Sequence, residues 1–129
     1  MKDAFYMGYK INRNIKHFLP TSILFSNGKE HITVAMAKDV LDYILSIIAT
    51  KNPLVESYNT AKMVLDALKM MLENKRPSRP NNEDIKTAAD VLKEIANLSA
   101  KSEEEKERNA KATLVCKLMI DGFSGNSLR

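Results

Sequence analysis

What this chain has little of narrows its function before anything it contains. It has one cysteine, Cys116, so it forms no internal disulfide and builds no zinc cluster on cysteines. Tryptophan is absent, and glycine and proline number only four each, too few for a turn-rich sandwich or barrel. The longest apolar run, YILSIIA at 43–49, falls far short of a membrane span and sits beside Asp39 and Asp42. The N-terminus carries neither the apolar stretch nor the small-residue cleavage site of a secretory signal. These absences describe a soluble, cytoplasmic protein in a reducing compartment, for which a membrane is not an expected partner.

What remains is ordinary globular composition: 129 residues, 44% hydrophobic and 28% charged. That length suits one domain with one core, taken here as 1–123, followed by a loose tail over 124–129. The formal net charge of +4 is unevenly spread. Residues 1–20 hold Lys2, Lys10, Arg13 and Lys16 against Asp3, and residues 74–80 hold Lys75, Arg76 and Arg79. Residues 81–107 are acidic. This is a patchwork, not a uniformly basic coat for nucleic acid.

The hydrophobic period is helical almost throughout. In residues 3–19, Ala4, Met7, Gly8, Ile11, Ile15, Phe18 and Leu19 fall at spacings of three and four, which predicts an amphipathic N-terminal helix. Its opposite face collects Tyr6, Tyr9, Lys10, Arg13, Lys16 and His17. Pro20 ends that segment. In residues 21–34, Asn27-Gly28 between ILF and ITV is a hairpin signal. The rival is a helical turn, a stop at Gly28 and a new helix from about Lys29. The rival is preferred here, because an isolated two-stranded hairpin is marginally stable and no further strand is evident to extend it.

A helix over roughly 30–50 is apolar round more than half its circumference and belongs at the centre of a bundle. Asn52-Pro53 ends it, and Pro53 opens the next helix. In residues 54–74, Leu54, Tyr58, Ala61, Leu65, Leu68 and Leu72 form a regular seam. Met63, Ala67 and Met70 make a second stripe on the other side, which requires either another helix of this chain or another molecule. The segment 74–82, with two prolines and three bases, is a loop. Asn81 or Asn82 caps the following helix, with Glu83 and Asp84 in its first turn. Ser102 with Glu105 is a capping box for a last helix, whose polar start projects into water and which stops at Gly122. The expected fold is therefore all-α, a compact bundle of four main helices plus the N-terminal one.

Catalytic inventories are thin. His17 and His31 have no metal-ligand partner at helical spacing. Cys116, among Val115, Leu118 and Met119, is expected to be a buried structural residue. Glu103, Glu104, Glu105 and Glu107 fan out round a helix and cannot converge on one ion. They would also repel phosphate if 88–114 were a helix-turn-helix reader. The expectation is a noncatalytic protein with no cofactor, no metal and no small-molecule substrate.

Two constellations stay in play. Met63, Ala67 and Met70 suit a pliable contact surface for another protein or for a second copy, giving a homo-oligomer. That makes an interaction module the expected function: an adaptor, chaperone-like, inhibitory or accessory subunit presenting helix faces. The alternative is a small, sequence-nonspecific nucleic-acid-binding protein. It would use Tyr6, Tyr9, Lys10, Arg13 and Lys16 together with Lys75, Arg76 and Arg79, tyrosines stacking on bases and cations meeting phosphates. Against both stands the plain alternative of solvated or core-facing helix faces. The basic patches gain meaning only if the fold sets them on one side.

Overall fold

The computed structural model describes residues 4–6, 9–11, 17–98 and 100–123. Four strands lead into four helices: β1 (Ala4–Tyr6), β2 (Tyr9–Ile11), β3 (Ile23–Ser26), β4 (His31–Thr33), α1 (Val34–Ala49), α2 (Glu56–Leu72), α3 (Asn82–Ala96) and α4 (Glu103–Phe123). The protein is mostly helical, as expected, but it is not all-α. The strands pair antiparallel in the order β1-β2-β3-β4.

The expected N-terminal helix is not shown: its described residues 4–6 and 9–11 are the strands β1 and β2, with Tyr6 opposite Tyr9. Residues 12–16, including Arg13 and Lys16, lie outside the described residues, as does the expected loose tail at 124–129.

The preferred helical turn over 21–34 is corrected too, in favour of the hairpin. Gly28 takes a φ of +88°, the left-handed conformation that a two-residue hairpin loop demands near its first central position. Asn27 secures the loop: its Oδ1 accepts from the backbone N–H of Lys29 at 3.0 Å and of Glu30 at 2.7 Å, while its own N–H donates to the Glu30 carbonyl at 3.1 Å. The objection from marginal stability fails because this hairpin is not isolated. β2 extends it on one side and helices cover it. The register shifts between Ile23 and Phe25. Leu24 and Phe25, which a regular strand would aim at opposite faces, are both fully buried.

β4 runs directly into α1. Thr33 ends the strand and caps the helix, its Oγ1 accepting from Met36 N–H at 3.3 Å. The N–H groups of Val34 and Ala35 donate to the carbonyls of Ser22 and Pro20 at 2.9 and 3.0 Å. The first three amides of α1 are therefore all satisfied.

Helix α2 begins at Glu56, not at Pro53. Leu54 stands in the preceding turn, where Asn52 Oδ1 accepts its N–H at 3.0 Å, and it is 89% exposed instead of joining the seam. Asn81 caps α3, accepting from Asp84 N–H at 2.8 Å. The Ser102 cap forms, with its return bond shifted by one residue: Glu105 N–H donates to Ser102 Oγ, and the Glu105 carboxylate accepts from Lys101 N–H in place of Ser102 N–H, each at 3.1 Å. α4 runs through Gly122 to Phe123 in place of stopping at the glycine.

Each helix packs on its neighbour in sequence, and α4 closes the ring against α1. The sheet lies over the α1–α4 side. One apolar cluster joins both layers, from Leu24, Phe25 and Ile32 through Leu41, Leu65 and Leu92 to Cys116 and Met119. α4 is apolar on so many sides beyond Ala112 because it touches α1, α3 and the sheet at once.

Candidate functional site

The structure brings together two features that lie apart in sequence. Met63, Ala67 and Met70 on α2 line an open groove of about 690 Å³ whose far wall is the loop carrying Pro77, Arg79 and Pro80. Met63 is 48% and Met70 37% exposed, while Ala67 is buried. The stripe is therefore not plain core. α3 covers α2 on the Ala67 side and leaves the two methionines at the surface.

The groove has an apolar middle and a mixed polar border. Lys62 and Asp66 pair at 2.8 Å, one turn apart on α2. Arg79 faces them from the loop, and its guanidinium is occupied locally: it donates to the Pro80 carbonyl at 3.2 Å and to Asn82 Oδ1 at 2.9 Å. That contact, with the buried Pro80, fixes the loop against the start of α3. Arg79 thus acts as a wall of the groove.

The other two loop bases do not line this groove. Lys75 Nζ is 3.8 Å from Glu73, which also lies 3.6 Å from Lys38, so part of its charge is answered within the fold. Arg76 is exposed, with no ion pair among the described residues. His17 and Phe18 line a hollow of about 290 Å³ together with Lys75, Arg76 and Pro77. The tail of the N-terminal basic segment therefore abuts the basic loop.

Of the predicted basic-aromatic face, the described side chains are Tyr9 and Lys10, and they lie on a strand instead of a helix. Tyr9 and Lys10 are neighbours on a strand, where successive side chains leave opposite faces. Tyr9 packs against the core and Lys10 is exposed. The Tyr9 hydroxyl donates to Glu30 Oε1 at 3.0 Å, and Glu30 Oε2 accepts from Lys111 Nζ at 2.8 Å. Burial, then the bond to Glu30, pushes the Tyr9 phenol up. The bonds from Lys111 and Tyr9 hold the Glu30 carboxyl below its ordinary value, and the same bond raises Lys111. Tyr6 lies on β1, across from Tyr9.

Cys116 is fully buried, and desolvation pushes its thiol up to about 12. Both histidines are exposed. Among the described residues, no three histidine, cysteine or acidic side chains gather as a metal site, and no helix is long and apolar enough to cross a membrane.

Sequence reasoning missed a second concavity, between α1, α4 and β4, bordered by Tyr43 and Arg108. Arg108 lies 5.9 Å over the Tyr43 ring, and the Tyr43 hydroxyl donates to Asn109 Oδ1. Asn109 belongs to the stretch expected to project into water, yet it is buried. Asn109 was the available signal, since it is the one uncharged polar side chain in the stretch 103–111.

No family model, no curated protein and no solved structure matches this chain.

Proposed function

We propose that this chain is a noncatalytic interaction module that docks an apolar protein segment in the groove between α2 and the loop at 75–81, with a second copy of itself as the first candidate partner. One observation carries this: two half-open methionines share a groove with two prolines inside a charged border. An apolar centre with a polar rim is the usual anatomy of a protein interface. Methionine side chains adapt to varied partners, while prolines give the opposite wall stiffness. A cytoplasmic location goes with this reading, since the sole cysteine is a buried free thiol. The noncatalytic part rests on the sealed Cys116 and the two exposed histidines.

Sedimentation of wild type beside a Met63→Glu/Met70→Glu variant tests it. Self-association that is present in wild type and lost in a variant with unchanged circular dichroism supports the reading. An unchanged mass removes the self-pairing.

The second reading, sequence-nonspecific nucleic-acid binding, draws support from the hollow that His17 and Phe18 share with Lys75 and Arg76. Fluorescence anisotropy with labelled single strands tests it, using Lys75→Ala/Arg76→Ala. Salt-steep binding lost in that variant would favour nucleic acid over protein. Absence of binding at low salt would remove it.

A further inference from the structure

The second concavity is separate from the α2 groove and has a different chemistry. It encloses about 300 Å³ between α1, α4 and β4. Met36, Val40 and Tyr43 recur on α1 at spacings of four and three, and Arg108, Ala112 and Val115 do the same on α4, so two stripes face each other across it. Ile32 of β4 completes a floor that is almost wholly apolar. Met36 at its side is 42% exposed.

Charges lie only at the rim: Arg108, Lys111 and Asp39. They are not equivalent. Lys111 is engaged by Glu30 at 2.8 Å. Arg108 is exposed, stacked 5.9 Å over the ring of Tyr43, and makes no ion pair among the described residues. The stack places a planar guanidinium at the mouth of an apolar cleft. Such a group offers paired donors matched to a carboxylate and gives up little hydration on binding one. Asp39, exposed on α1, opposes an anion at the same mouth, so the site carries one attractive and one repulsive rim charge for a carboxylate ligand.

The geometry points to a binding site for a small anionic amphiphile, a straight-chain carboxylate whose alkyl tail lies on Ile32, Val40, Ala112 and Val115 and whose head meets Arg108. At roughly 30 Å³ per water-sized group, the space holds on the order of ten heavy atoms, which is the size of octanoate.

The test is an NMR titration of the intact chain with sodium octanoate, with octan-1-ol and octyltrimethylammonium as controls. The expected result is saturable shifts at Met36, Val40, Tyr43 and Val115, with octanoate at least tenfold tighter than either control. Arg108→Gln abolishes that advantage and leaves octan-1-ol unaltered. Asp39→Asn, which removes the repulsive charge, tightens octanoate. Both substitutions are at exposed positions, and amide spectra of the free variants establish that the fold is intact. The proposal is overturned by an absence of saturable shifts, by equal binding of the controls, by an Arg108→Gln variant that keeps the preference, or by shifts centred on Met63 and Met70.

Discussion

Asn74 grips the backbone of Phe18 from both sides. Its Oδ1 accepts the Phe18 N–H at 2.7 Å and its Nδ2 donates to the Phe18 carbonyl at 3.3 Å, across 56 positions of sequence. The side-chain amide behaves as one more peptide unit paired with the segment between β2 and β3. Asn74 itself sits at φ 62°, the left-handed conformation asparagine tolerates better than most residues, where it ends α2. Two roles meet here, and substitution separates them. Asn74→Gly keeps the backbone conformation and loses the bonds, at a cost of about 1 kcal/mol. Asn74→Ala loses both, at about 2 kcal/mol. Urea unfolding should rank wild type above glycine above alanine. A glycine variant no better than alanine would show that the backbone conformation contributes nothing.

The hairpin is part of the core. Phe25 is fully buried, so Phe25→Ala is expected to cost about 3–5 kcal/mol, the range for emptying an aromatic core site. A loss under about 1 kcal/mol in chemical denaturation would mean that the hairpin is an appendage to the bundle.

Glu30 makes stability depend on pH at both extremes. Its folded carboxyl titrates below the ordinary 4.5, so its contribution is complete above that pH and fades as acid protonates it. Lys111 titrates above 10.5 and Tyr9 above 10.0, so their shares are complete below those values and fade as pH rises past them. Both side chains of the ion pair are more than a third exposed, which limits the pair to about 0.2–1 kcal/mol. Glu30→Gln should therefore be less stable than wild type near neutrality. The two curves should converge as acid takes the pH well below the ordinary carboxyl value of 4.5 and as base takes it well above the ordinary amine value of 10.5. A gap that is flat with pH would exclude the ion pair as its source.

Cys116 should ignore thiol reagents while the chain is folded. Burial disfavours the thiolate and blocks access. Labelling is expected to proceed only at the rate of opening, and fully in denaturant. Fast labelling of native protein would contradict the burial of α4.

Local signals were legible and long-range ones were not. The bodies of α1 to α4, the break at 74–82, the Asn81 cap and the Ser102 cap are all settled within a few residues by period, proline and side-chain capping. The N-terminal strands are three residues each, too short for a two-residue period to stand out against chance spacings of three and four. The Asn27-Gly28 hairpin was visible as a turn, but its stability comes from β2 and the helices, which no local window contains. The methionine stripe on α2 could be seen, though not that Arg79 and two prolines would face it. Nothing in the sequence couples Arg108 to Tyr43, since 65 positions separate them and only the closing of α4 onto α1 makes them neighbours.

That closure has a consequence for how the molecule is made. α4 supplies the wall against which Val40 and Tyr43 of α1 rest, and its Lys111 reaches the β3–β4 turn 81 positions earlier. A growing chain that already holds the sheet and three helices still lacks the surface that seals them. Until α4 has left the ribosome, the sides of α1 and α3 that it covers stay open and adhesive, although α1 can already pack on α2 and α2 on α3. Closure of the ring, and of the cleft between α1 and α4, therefore waits for α4.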